Sequence, residues 1–216
     1  MKRFVFALVL AASLTAQTPV PQHPTSQPYA GDLSIFETPG RDERLQIQRV
    51  MDLLQIKEGS TVADLGAGSG WFTTRAAKRV GPSGRVFAED INPQYLSYIR
   101  DRAAKEKLPQ IVTVLGTPDD PKLPANSVDA LLMLKVYHEL ANPRAVLAAL
   151  LPSLKTGARL GIIDRNGSGD DHGLKQSIVE KEISAAGFRL VGHYDFTKAD
   201  GQDYFLIFTP TPTNKP

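Results

Sequence analysis

From Ile47 to Thr209 the chain alternates short apolar runs with apolar residues at helical spacing, a pattern that few architectures accept. Ile47, Val50, Met51 and Leu54 recur as one face of a helix. Thr61 to Leu65 then reads as a strand, Trp71 to Val80 as a helix stopped near Gly81-Pro82, and Arg85 to Ala88 as the next strand. Asn92 before Pro93 is a favoured helix start, because the amide side chain caps free N–H groups and proline has none to leave unpaired. Ile111 to Leu115, Val128 to Leu134 and Arg159 to Asp164 supply three more strands, the second apolar enough for the centre of a parallel sheet. Helical faces at Leu147, Leu150, Leu151 and Leu154, and at Ile178, Val179, Ile183 and Ala186, fall between the later strands. Phe188 to Phe196 and Tyr204 to Thr209 close the pattern as two strands joined by a hairpin-like turn at Lys198-Ala199-Asp200-Gly201.

This order predicts an α/β fold: a seven-stranded, mostly parallel sheet with helices on both faces and an antiparallel terminal hairpin. Ligands of such sheets bind beyond the carboxyl ends of the strands. Asp64, Asp90, Leu134 and Asp164 all fall at predicted strand ends and are expected on one rim.

The densest signal on that rim is Val62-Ala63-Asp64-Leu65-Gly66-Ala67-Gly68-Ser69-Gly70-Trp71-Phe72, a strand running into three glycines and then a helix. Glycines allow a sharp turn and let a ligand lie against bare main chain. A dinucleotide loop needs its third glycine at the position of Trp71, whereas Gly70 comes one residue early. Asp64, two residues before the first glycine, suits a cationic ligand better than a pyrophosphate. S-adenosylmethionine, with its amino group and sulfonium, has that character. About 20 residues beyond the loop, Val86-Phe87-Ala88-Glu89-Asp90-Ile91 ends the second strand, where a carboxylate can accept both ribose hydroxyls of an adenosine. Asp90 is preferred to Glu89 for that role.

These residues resemble the class I S-adenosylmethionine-dependent methyltransferases across nearly all of residues 41 to 209. Asp64-x-Gly66-x-Gly68-x-Gly70 is similar to that family's first motif, and Asp90 to its ribose acid. The run from Gly116 to Pro124 before Ser127-Val128-Asp129 looks like the family's third-strand loop and fourth strand, and Lys155-x-Gly157 like its turn into the fifth. More narrowly, Glu37-x-Pro39-x-Arg41 and Tyr137-His138-Glu139 look like a bacterial, often exported branch of unknown substrate. The resemblance implies a Rossmann-like fold and S-adenosylmethionine as cofactor, held by Asp64, Gly66, Gly68, Gly70, Asp90, Ile91 and Leu134. Many relatives carry an Asp after Gly116 for the adenine amino group; here Thr117-Pro118 stands there, leaving Asp119 or Asp120 for that contact. It also implies a methyl acceptor presented near Lys135 to Glu139, with His138, and Tyr137 beside it, as catalytic candidates; His138 either assists proton removal or only packs at the rim. Arg41 and Glu37 either cover the cofactor or form a surface ion pair. Arg165 to Gly173 is short, which leaves the acceptor site open or completed by the N-terminal segment.

Composition removes other chemistries. The chain has no cysteine, so disulfides, thiolate metal sites and cysteine nucleophiles are excluded. Net charge is +2, and without Lys2 and Arg3 basic and acidic side chains balance, giving no footprint for nucleic acid. His172 in Asp170-Asp171-His172 has metal-ligand character, but a single such cluster on a loop is usually solvated, and His23 and His193 gather no other ligands, so no metal is expected. Lys2-Arg3 followed by the apolar run Phe4 to Leu14 and small residues predicts a signal peptide over 1–16, hence an exported protein, with an uncleaved membrane anchor as the alternative. No other stretch is long enough to span a membrane, so none is expected in the mature chain. Residues 17–30, rich in proline, predict a disordered tether, 31–209 the domain and 210–216 a disordered tail. The acceptor is a small molecule or another, unidentified compound. Two rival functions are a cofactor-binding module without turnover, which export favours because S-adenosylmethionine is made in the cytosol, and a nicotinamide-dependent oxidoreductase.

Overall fold

The computed structural model describes residues 23–212; the signal-peptide expectation lies outside them. The chain runs α1 (Arg41–Leu45), α2 (Ile47–Leu53), β1 (Thr61–Leu65), α3 (Trp71–Val80), β2 (Arg85–Asp90), α4 (Pro93–Glu106), β3 (Ile111–Leu115), β4 (Val128–Leu134), α5 (Pro143–Leu150), β5 (Leu154–Asp164), α6 (Gln176–Ala185), β6 (Phe188–Tyr194) and β7 (Tyr204–Pro210). The seven strands form one sheet in the order β3-β2-β1-β4-β5-β7-β6. β7 runs antiparallel to both β5 and β6, and the remaining pairs are parallel. Strand order reverses between β1 and β4, which opens a crevice at their carboxyl ends.

Local chemistry explains the element ends. Gly70 at φ 71° starts α3 and Gly81 at φ 66° stops it, both in backbone conformations that glycine adopts without strain. The Asn92 side chain accepts from the Gln94 N–H at 2.9 Å, with Pro93 in the first turn, as its sequence position predicts. Apolar residues of α2 and α3 pack on one face of the sheet, including Met51, Trp71 and Phe72. Those of α5 and α6 pack on the other, including Leu147, Val179 and Ile183.

Two elements differ from expectation. β5 begins at Leu154 rather than Arg159, and its pairing with β4 shifts register between Val128 and Ala130. Lys155 Nζ bonds the Asp129 carboxylate at 2.9 Å and ties the early part of the strand down. The β6–β7 connection is not a tight turn; a 3-10 helix spans Phe196–Asp200 before Gly201 at φ 75°. There Asp200 receives Arg41, so the connection reaches across to the first helix.

The proline-rich segment differs most. From His23 onward it has no regular structure, yet it is docked rather than loose. The Ser26 N–H donates to the His138 carbonyl at 3.2 Å, and its hydroxyl donates to the Gly169 carbonyl at 2.9 Å. His23 Nδ1 lies 3.0 Å from Glu182, and its ring stacks on Tyr137. The Tyr95 hydroxyl donates to the Tyr29 carbonyl at 3.0 Å. Gly169 sits at φ 103°, and a Cβ there would overlap the Pro24 carbonyl. Proline lowers the entropy lost on ordering such a segment, and these partners supply the enthalpy.

Candidate functional site

The crevice at the switch point is a cavity of about 610 Å³, within the range of small-molecule sites. Its floor is the loop from Leu65 to Ser69, where Gly66 and Gly68 have φ of 70° and 54°. A Cβ on Gly66 would lie 2.6 Å from Val136 Cγ2, so the loop has no room for a side chain at this position. Gly66→Ala should therefore cost roughly 2 kcal/mol, seen as a melting temperature about 4–8 °C lower.

Three carboxylates converge on this loop. Asp90 Oδ2 accepts the Gly68 N–H at 2.9 Å, while its Oδ1 accepts the Asn92 N–H at 2.8 Å. Glu89 accepts the Gly66 N–H at 3.4 Å, and a Cβ on Gly116 would overlap it, so this glycine makes room for the acid. Asp64 accepts the Thr73 hydroxyl at 2.6 Å. All three are buried, and burial disfavours the charged form. It pushes Asp64 up to about 7, against the Thr73 hydrogen bonds, and Glu89 up to about 8, with the Asp90 charge adding to the rise. Asp90 is raised too, chiefly by burial, with backbone N–H groups opposing. A cluster of this kind is matched to a cation. In the sequence Glu89 is the lesser choice beside Asp90; its contact with Gly116 depends on strand register, which the sequence does not display.

Arg41 lines the same cavity, pairs with Asp200 at 3.3 Å and donates to the Phe36 carbonyl at 2.9 Å. The Arg41 and Arg75 guanidiniums lie 4.3 and 4.1 Å from the Trp71 ring centroid. Glu37 pairs instead with Arg102 and accepts the Ser69 hydroxyl at 2.8 Å, so the two residues do not form an ion pair with each other. Ile91, 40% exposed, and Leu134 give the cavity apolar walls suited to a planar base. Gly70 shapes the loop from outside the lining, starting α3. Thr117, Pro118 and Pro121 line the cavity, whereas Asp119 and Asp120 do not; Asp120 accepts the Lys122 N–H at 2.8 Å.

The opposite wall comes from residues after β4 and from the N-terminal segment, Thr25 to Ala30. Lys135 and Glu139 line it; burial lowers the Lys135 ammonium and pushes Glu139 up to about 7. Tyr137 and His138 lie just behind this wall. Tyr137 is fully buried and its hydroxyl donates to Glu182 at 3.0 Å, with burial raising its pKa. His138 Nδ1 lies 2.8 Å from the Asp164 carboxylate, which is fully buried at the end of β5. The rim therefore joins Asp64, Asp90, Leu134 and Asp164 as their strand-end positions predict. The part played by residues 25–30 was legible only as a length argument.

Residues 62–157 match the family described as "Methyltransferase domain". An uncharacterized methyltransferase of Mycobacterium bovis is 37% identical over 102 residues, 47% of this chain and 38% of that protein. A solved S-adenosylmethionine-dependent methyltransferase from Aquifex aeolicus superposes with a TM-score of 0.75 at 25% identity, covering 84% of this chain and all of that one. Residues 62–157 are a methyltransferase domain, in a chain that shares the fold of a solved S-adenosylmethionine-dependent methyltransferase. The cyclase SpnF shares the fold, with a TM-score of 0.67 at 15% identity over 91% of this chain and 89% of its own. Within residues 62–157 the loop after β1, the acids at the end of β2, the loop after β3 and the residues following β4 all face the cavity. No described helix is long and apolar enough to cross a membrane.

Proposed function

We propose that the methyltransferase domain binds S-adenosylmethionine in the switch-point cavity and transfers its methyl group to a small-molecule acceptor. The observation that carries this reading is the set of buried carboxylates Asp64, Glu89 and Asp90 gathered at a glycine-rich loop. Asp90 would hold the ribose, Asp64 the cationic aminoacyl end, Arg41 the carboxylate, and Ile91 and Leu134 the adenine. When bound, the cofactor supplies an electrophilic methyl on a sulfonium, open to in-line displacement. The chain contributes orientation and the exclusion of water, which Thr25 to Ala30 improve by walling the cavity. His138, fixed by Asp164, serves the acceptor end from behind Glu139; Tyr137 positions this wall through Glu182.

Methyl-labelled S-adenosylmethionine incubated with the protein and a small-molecule cell extract is the direct test. Label should appear in a low-molecular-weight product. Transfer only to macromolecules, or none at all, would reject the reading. Export belongs to the same proposal, supported by Lys2-Arg3 and the apolar run after them. N-terminal sequencing of the natural protein should begin at Gln17; a start at Met1 would contradict cleavage.

A further inference from the structure

His138, Glu139 and His172 each offer one ligand atom, and these atoms lie within 4.8 Å of one another. His172 is 33 positions beyond Glu139 in sequence, and only the fold brings it there, on the loop after β5. We propose that these three side chains form a binding site for a divalent first-row transition-metal ion of zinc-like preference.

The chemistry of the donors supports it. Asp164 accepts the Arg165 N–H at 2.9 Å and lies 2.8 Å from His138 Nδ1, so that nitrogen carries the proton and Nε2 keeps its lone pair. Nε2 faces Glu139 Oε1 at 3.9 Å, and the His172 ring meets the His138 ring edge-on at 5.8 Å. Lone pairs thus converge from two imidazoles and a carboxylate in a partly buried space, an arrangement that a cation relieves. A carboxylate behind a histidine ligand fixes its tautomer and raises its basicity, as Asp164 does here. Two imidazoles and one carboxylate suit zinc, iron or nickel better than magnesium, and leave coordination positions open. The N-terminal segment steadies the third ligand, since the Ser26 hydroxyl accepts the His172 N–H at 2.8 Å. Arg165 Nε donates to the His172 carbonyl at 3.0 Å.

Glu139 and Ser26 also line the cavity, so an open position would face the acceptor end, and an acceptor oxygen bound there would lose its proton more readily. That use of the ion rests on the methyl-transfer reading; ion binding itself does not. His138 is then a ligand rather than a proton acceptor.

Calorimetry of the metal-stripped protein with zinc chloride, with magnesium chloride as comparison, tests the site. One zinc per chain should bind, and magnesium should not displace it. His172→Ala and Glu139→Gln should each weaken zinc at least about tenfold, and Asp164→Asn by about 10–100-fold. His172→Ala, a change at an exposed loop residue, should keep the fold and the wild-type affinity for S-adenosylmethionine. Cobalt in place of zinc should give visible absorption bands that the His172→Ala protein lacks. No zinc binding at millimolar concentration, or binding that survives both His172→Ala and Glu139→Gln, would overturn the site. Zinc binding with no affinity for S-adenosylmethionine would sustain the site and reject the cofactor reading.

Discussion

Asp64→Asn should weaken S-adenosylmethionine binding at least about tenfold and, at pH 8, raise the melting temperature of the ligand-free protein by about 4 °C, for roughly 1–2 kcal/mol. Both effects come from one cause. Burial holds Asp64 up at about 7 and Glu89 at about 8, while in the unfolded chain both titrate near ordinary carboxylate values. Between those limits the folded protein binds more protons than the unfolded one, so stability falls as pH rises. The ligand-free protein should be most stable near pH 4–5 and lose stability progressively up to about pH 8. A cationic ligand favours the ionised cluster, so cofactor affinity should rise over the upper part of that range, with protons released on binding. Asparagine keeps an acceptor for Thr73 and removes the charge, which explains opposite signs for stability and affinity. Melting curves from pH 5 to 8.5, and calorimetry in buffers of different ionisation enthalpy, read both. A melting temperature that climbs steadily with pH would contradict the cluster's assigned state.

Removing residues up to Ala30 should have the second largest effect. The segment contributes hydrogen bonds through His23, Ser26 and Tyr29, and a wall of the cavity. At about 1 kcal/mol each, three such bonds correspond to roughly 6–12 °C in melting temperature for a chain of this size. Cofactor affinity should fall about tenfold, with faster exchange. Gly169→Ala is the point-mutation counterpart, because the added Cβ would displace Pro24 and loosen the segment without substituting any cavity residue. Trp71, the single tryptophan, lines the cavity and reports binding by its fluorescence. If both variants bind and melt like the wild type, the segment is not part of the site.

The contrast between Asp90 and the N-terminal segment shows what the sequence makes legible. Strand ends, glycine spacing and helix caps are local, so Asp64, Gly66, Gly68, Asp90 and Ile91 reach the cavity as their positions predict. Contacts between distant stretches are not local. Nothing near Pro24 indicates that Gly169 leaves room for it, and nothing near His172 indicates His138. Proline-rich composition matches a loose tether equally well until docking partners are known. Asp119 and Asp120 do not line the cavity; the carboxylate of Asp120 turns back onto its own loop, where it accepts the Lys122 N–H. In the sequence Glu139 stands out only as part of Tyr137-His138-Glu139, and its cavity position follows from the short 3-10 turn Tyr137–Glu139, which directs three successive side chains to different surroundings.

Calorimetric titration of the purified protein with S-adenosylmethionine at pH 8, on wild type and Asp90→Ala, tests the central claim most directly. The account predicts one saturable site per chain with affinity in the micromolar range, about −8 kcal/mol, and a loss of at least about tenfold, roughly 1.4 kcal/mol, in the variant. Absence of heat and of any Trp71 fluorescence change at millimolar cofactor, or equal affinity in the two proteins, would contradict it.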